Sequence, residues 1–171
     1  MVSESSRMHK TAAAGEVVTC AVLTVSDSRS EGHDPGGDRI VSRLEGAGHA
    51  VVGRDWVRDD PFEIGRVLTD WLSVPLARVI VTTGGTGVSQ RDTTVEVVER
   101  FLDQRLDGFG ELFRLLSYQE IGSAAMLSRA VGGVARGVFV FALPGSPAAV
   151  ELALDRLIIP ELPHLIWERK R

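Results

Sequence analysis

The sequence predicts an α/β domain of three layers, a mostly parallel sheet with helices on both faces, and three observations predict it. Short apolar runs rich in β-branched residues alternate with segments of helical period. The turns that follow the strands are rich in Gly, Pro, Ser and Asp, whereas those that follow the helices, such as "LEGAGHA" and "SVPLA", carry no acid-rich cluster beyond Glu45. The chain has 171 residues, which suits one domain with a sizeable core. Strand-helix alternation of this kind gives a parallel sheet whose ligands bind beyond the carboxyl ends of the strands.

In chain order, "VVTCAVLTVS" reads as a first buried strand and "GDRIVSRLEGAG" as a helix that stops at its glycines. "AVVGRDWV" reads as a second strand, and "PFEIGRVLTDWL" as a helix that opens on Pro61, where a missing N–H costs nothing. A third strand, "RVIV", leads into "TTGGTGVSQRDTT", and "TTVEVVERFL" then recurs at helical spacing. "GELFRLLSYQEIG" is a further helical pattern, "RAVGGVAR" and "GVFVFALPG" are paired short strands, and a closing helix starts at Pro147. The last segment, "IIPELPHLIWERKR", is apolar with a basic end and suits either a neighbouring subunit or the chain's own sheet.

Composition narrows the function. A formal net charge of −4 argues against general nucleic-acid binding, and no apolar run approaches the ~20 residues of a membrane span. The opening "MVSESSRMHKTAAAGE" has neither the apolar core of a signal peptide nor helical periodicity. Residues 1–16 are therefore expected to form a flexible tail, residues 17–171 a single domain, and the protein to be cytoplasmic. Cys20 sits in an apolar strand pattern and reads as a core residue, not a nucleophile. His9, His33, His49 and His164 lack metal-ligand spacing.

Four loops fall at one edge of the predicted sheet: "SDSRSEGHDPGG", "VRDDP", "TTGGTGVSQRDTT" and "LPGSP". The third is a strand-to-helix turn whose glycines let an anion approach unpaired backbone N–H groups. It is no Walker A loop, because Val88 stands where the lysine that reaches the outer phosphates is needed. It is no dinucleotide fingerprint either, because Gln90 occupies the third glycine position. What remains is another kind of phosphate cradle with an acid, Asp92, built into it, and an acid beside phosphate calls for a divalent cation such as magnesium. Asp92 could instead serve the helix dipole, but Thr93 and Glu96 have the spacing of a capping box for that helix. Asp60 is the better placed cap for the helix at Pro61, which leaves Asp59 unemployed.

These segments resemble a known family. "TTGGTGVSQRDTT" is similar to the T-G-G-T-G-x-x-x-R-D-x-T signature of the molybdopterin adenylyltransferase family, and "LPGSP" to its L-P-G-x-P. "LTVSDSR", "DPGG", "GFGELFRLLSYQEIG" and "LSRAVGGV" resemble its other segments in the same order, from about Val18 to the C-terminus. The resemblance implies the fold of the molybdenum cofactor biosynthesis proteins. It further implies transfer of AMP from ATP to the terminal phosphate of molybdopterin, with Mg2+ present, pyrophosphate released, and a trimer or hexamer as the working form. Asp92 matches the family's catalytic, magnesium-binding aspartate and Asp59 its second catalytic aspartate. Thr83, Gly84, Gly85, Thr86 and Gly87 would wrap the nucleotide phosphates, and Pro144, Gly145, Ser146 and Pro147 would wall the nucleotide site. Ser26, Asp27, Ser128 and Arg129 match positions near the pterin, and Arg91 would screen phosphate charge. Ser128 and Arg129 also fit a plain strand entry with a solvated arginine. Val95 departs from the family's usual proline. Two rival readings share the fold: a non-catalytic molybdopterin-binding scaffold, and a domain of the competence-damage-inducible type acting on another nucleotide.

Overall fold

The structure, a computed structural model, describes residues 15–28 and 32–170. Most of the expected N-terminal tail lies outside the described residues. Glu16, at its inner end, accepts from Arg78 at 2.5 Å and Lys170 at 2.7 Å.

The chain runs β1 (Thr19–Val25), α1 (Pro35–Gly46), β2 (Ala50–Val57), α2 (Pro61–Ser73), β3 (Val79–Thr83), α3 (Thr94–Phe101), β4 (Gln104–Arg105), α4 (Asp107–Ile121), β5 (Val131–Ala135), β6 (Val138–Leu143), α5 (Pro147–Ala153) and α6 (Ile159–Lys170). A 3-10 turn, Gly122–Leu127, follows α4, and a π turn, Leu154–Ile158, joins α5 to α6. The sheet order is β2-β1-β3-β6-β5-β4. β2, β1, β3 and β6 are parallel, and β5 and β4 extend the sheet antiparallel to their neighbours. The two-residue turn between β5 and β6 uses Arg136 at φ 48 and Gly137 at φ 86, the pair of positive values a type I′ hairpin requires.

Period-2 alternation builds two cores, one on each face. Cys20, Val22, Val79, Val81, Phe139 and Phe141 pack against α1, α4, α5 and α6. Ala21, Leu23, Val25, Ile80, Val138, Val140 and Ala142 pack against α2 and α3. The central strands are therefore mostly apolar, as strands buried on both faces are, with threonines at Thr24, Thr82 and Thr83 toward their carboxyl ends. Phe113 and Phe141 are among the largest fully buried side chains, each of a kind whose truncation to alanine costs about 3–5 kcal/mol. The C-terminal segment resolves one expectation: Leu162 and Ile166 join the first core, so α6 packs on the chain's own sheet. Cys20 is buried there as well, and burial pushes its thiol up to about 12, beyond use as a nucleophile.

Register aligns the strand ends. Val25 lies beside Val57, Thr24 beside Thr83, and Thr83 beside Leu143. The loops that follow β1, β2, β3 and β6 consequently open on one edge.

Candidate functional site

That edge carries an open cleft of about 520 Å³. It is lined by residues from the loops after β1, β2, β3 and β6, joined by Leu127 and Ser128 from the turn before β5. Of the residues singled out in the sequence, Ser26, Asp27, Asp59, Gly84, Gly85, Thr86, Gly87, Arg91, Asp92, Ser128, Pro144 and Gly145 line it.

The glycine loop is held open by its neighbours. Gly84 N–H donates to Leu143 O at 3.1 Å, and Thr94 N–H donates to Gly85 O at 2.9 Å. Gly84 and Gly85 adopt φ 98 and φ 60, which other residues reach only with strain. A Cβ on Gly85 would stand 2.6 Å from Asp59 Oδ2, and one on Gly87 the same distance from Asp92 Oδ2. Glycine is thus required where the loop passes the two acids.

The acids are positioned from different elements. Asp60 accepts from Phe62 and Glu63 N–H at 2.9 and 3.1 Å and caps α2, as expected. Asp59 turns the other way, and its Oδ1 accepts from both Thr93 N–H and Thr93 Oγ1 at 3.2 Å. Among the described residues, its Oδ2 accepts nothing. Burial, the largest cause, holds the Asp59 carboxyl above its ordinary range; the Thr93 donors oppose this, and the charges of Asp92 and Asp27 add to it. Asp92 Oδ2 accepts from Ser89 N–H at 2.8 Å, which closes the loop on itself. Asp27 Oδ1 accepts from Asp59 N–H at 3.3 Å, and its Oδ2 lies 3.9 Å from the exposed Arg91 guanidinium.

The capping box expected from Thr93 and Glu96 does not form. α3 has no side-chain cap, because Thr93 is committed to Asp59 and Glu96 to Arg129. The two residues that fit the helix locally are recruited by partners distant in the sequence.

The remaining predicted residues fall behind the lining. Thr83 is buried and donates to Pro144 O at 3.1 Å, fastening the β3 end to the β6 end. Ser146 Oγ accepts from Ala149 N–H at 3.3 Å and caps α5, whose first residue is Pro147. Arg129 is no solvated arginine: it binds Thr86 O, Asp92 O and the Glu96 carboxylate. Sequence reasoning passed over Val25, Ser89 and Leu127 as cleft residues. Ser89 stands inside the quoted loop and could have been found there; Leu127 carries no local signal.

Among the described residues, no three or more His, Cys, Asp or Glu side chains are grouped closely enough to hold a metal by themselves. No helix among them is long and apolar enough to cross a membrane.

Compared with known proteins, residues 21–164 match the family described as "Probable molybdopterin binding domain". Molybdenum cofactor biosynthesis protein B of Bacillus cereus is 44% identical over 164 residues, covering 95% of this chain and 96% of that protein. The protein of the same name from Staphylococcus carnosus is 46% identical, covering 88% and 90%. A crystal structure of a molybdenum cofactor biosynthesis protein B superposes with a TM-score of 0.88 at 44% identity, over 91% of this chain and 98% of that one. The tungsten cofactor synthesizing protein MoaB from Pyrococcus furiosus superposes with a TM-score of 0.83 at 37% identity, over 92% and 100%. With one family model spanning most of its length and relatives this similar end to end, the chain belongs to the molybdenum cofactor biosynthesis protein B family.

Proposed function

We propose that the chain binds molybdopterin and adenylylates it with ATP and Mg2+, giving adenylyl-molybdopterin and pyrophosphate as a step of molybdenum cofactor biosynthesis. The family supports the pathway. The reaction is supported by one observation above the others: Asp27, Asp59 and Asp92 line one cleft together with Gly84–Gly87, and the half-buried Asp59 has one carboxylate oxygen without a donor among the described residues.

Transfer forms a bond between an oxygen of the pterin's terminal phosphate and the α-phosphorus of ATP, and breaks the α-phosphorus bond to the β-bridging oxygen. The attacking phosphate oxygen is already anionic near neutral pH, so no base is needed to make it a nucleophile. The catalytic problem is to hold two polyanions together, and positioning with electrostatic compensation is the means. The loop glycines let phosphate oxygens come close to the backbone. Pro144 and Gly145 wall the nucleotide side; Ser26, Asp27 and Ser128 lie at the pterin side; Arg91, exposed to solvent, offsets phosphate charge. Mg2+ is commonly held by one or two carboxylates and completed by substrate phosphates and water. The cleft fits that donor set, since among the described residues Asp92 Oδ1 and Asp59 Oδ2 accept no hydrogen bond, and a Cβ at Gly85 would crowd Asp59 Oδ2. When bound, the ion would neutralise charge developing on the α-phosphate.

A homotrimer or homohexamer is proposed with this reading. α4 exposes Leu112, Leu115, Tyr118 and Ile121 along one side, a stripe suited to a partner. Sedimentation should show a trimer or hexamer, and a clean monomer at micromolar concentration would remove that part. The reaction is tested by incubating the purified chain with molybdopterin, ATP and Mg2+. Adenylylated pterin and pyrophosphate should appear, and chelation should abolish both. Tight pterin binding without any product would favour the scaffold instead.

A further inference from the structure

Arg129 stands at the entry to β5, next to Ser128 in the cleft, yet its guanidinium faces the protein. Nε donates to Thr86 O at 3.0 Å, and Nη2 donates to Asp92 O at 3.2 Å. Nη2 also donates to Glu96 Oε2 at 3.2 Å, and Nη1 to Glu96 Oε1. Thr86 and Asp92 bracket the turn that carries Gly87 and Ser89, and neither carbonyl accepts a backbone hydrogen bond among the described residues. Glu96, in the first turn of α3, occupies the charge of Arg129, so that charge is not on offer to a phosphate. One planar fork therefore fastens both ends of the glycine loop to the start of a helix.

We infer that Arg129 is a positioning residue: by pinning Thr86 O and Asp92 O to Glu96, it fixes the direction of the Asp92 carboxylate and of the loop N–H groups. This rests on the adenylyltransferase reading of the same cleft. The loop turns through Val88, Ser89 and Gln90 with few other anchors, chiefly the Ser89–Asp92 bonds within the turn. A displacement of about 1 Å at a reacting group costs about 100-fold in rate, so a clamp on this turn matters more for turnover than for affinity. Lysine cannot replace the fork, because a single ammonium cannot reach three separate acceptors in one plane.

The test compares Arg129→Ala and Arg129→Lys, each alone and in an Asp92→Asn background. Single-turnover adenylylation, KM for pterin and amide hydrogen exchange are measured on the intact chain. Each single variant should slow the chemical step by about 10–100-fold while KM stays within about threefold. In the Asp92→Asn background the Arg129 changes should add little, because both act through one carboxylate. Exchange at Ser89 and Asp92, whose N–H groups donate within the turn, should rise by about tenfold or more in both variants. Should Arg129→Ala fail to fold, Arg129→Lys alone decides. Undiminished turnover in a folded variant, full additivity with Asp92→Asn, or unchanged loop exchange would each overturn the inference. A wild-type chain without turnover would overturn the adenylyltransferase reading, and loop exchange alone would then decide the role of Arg129.

Discussion

Two aspartates on the same edge of the sheet are surrounded in opposite ways. Asp34, at the start of α1, is fully buried and accepts four hydrogen bonds: from Thr24 Oγ1 at 2.6 Å, Gly37 N–H at 2.9 Å, Trp56 Nε1 at 3.0 Å and Arg54 Nη2 at 3.1 Å. Asp59 is half-buried, and both of its donors come from Thr93 onto a single oxygen. Both acids are crowded by a glycine, since a Cβ on Gly37 would stand 2.1 Å from Asp34 Oδ2 and one on Gly85 2.6 Å from Asp59 Oδ2. Their ionisation differs accordingly. Burial alone would push the Asp34 carboxyl up, but its four donors outweigh burial and hold it below the ordinary range. At Asp59 burial wins, with Asp92 and Asp27 acting in the same sense. A saturated acid holds the fold, whereas an unsaturated acid facing a cleft is kept at a cost to the fold and is available for chemistry.

The largest effect should come from Asp34. Asp34→Ala leaves the Trp56 indole N–H and the Thr24 hydroxyl without their acceptor and Arg54 with Asp38 alone; orphaning these two donors at about 1–3 kcal/mol each costs about 3–5 kcal/mol together with the weakened Arg54 contact. In a domain of this size that lowers Tm by about 6–20 °C, measured by thermal unfolding. If Tm stayed unchanged, the contrast drawn between the two acids would be wrong at its structural end.

Next come the acids of the cleft, where rate and stability should separate. Asp92→Asn and Asp59→Asn keep shape and lose charge; if each acid supplies about 3 kcal/mol of transition-state stabilisation, each slows single-turnover adenylylation by about 100-fold. Pterin affinity should move far less. The double variant should be little worse than either single one, since half a charge site is already disabled. Wild-type rates in all three would overturn the catalytic assignment. Gly85→Ala should be milder on stability, about 1–3 kcal/mol for a strained φ, while its Cβ displaces Asp59 and slows turnover. Loss of stability with unaltered turnover would show that Gly85 serves the fold alone.

The contrast also marks what the sequence could and could not reveal. β1, β2, β3 and β6 were legible because each carries β-branched apolar residues between turn residues, and the site edge followed from the loops after them. The Asp60 cap was legible because Pro61 fixes where α2 starts. β4 has two residues and no pattern to read. α1 starts at Pro35, two residues before the helical pattern read from Gly37, and this start carries the same local signal as α2, a capping Asp34 followed by a proline, with Asp34 bonded to Gly37 N–H. The capping box fails for a non-local reason: Thr93 and Glu96 satisfy a local rule, but Asp59 and Arg129, 34 and 33 residues away, outbid it. Side-chain bonds of that span leave no local periodicity.

The smallest predicted effect is the most discriminating, because its sign runs against intuition. Asp59→Asn should raise Tm near neutral pH, by about 1–3 °C, for a relief of about 0.5–1 kcal/mol. Asparagine Oδ1 still accepts from Thr93 N–H and Oγ1, while the half-buried negative charge beside Asp92 and Asp27 is gone. The pH dependence checks the cause. A carboxyl whose folded pKa lies above its unfolded value binds its proton first in the folded state, so acidification through that window stabilises the wild type relative to the Asn variant. The gap should be full at neutral pH and closed once the pH falls below the unfolded value. Asp34 runs the other way: its folded pKa is lowered, so its contribution is present above the ordinary carboxylate value and is lost as pH falls through the folded one. Unfolding curves for wild type and Asp59→Asn between pH 3 and 8 decide the matter. A variant less stable than wild type at neutral pH would make Asp59 a second structural acid and dissolve the distinction from Asp34; a variant more stable and slower fixes Asp59 as a group the fold tolerates for the sake of the cleft.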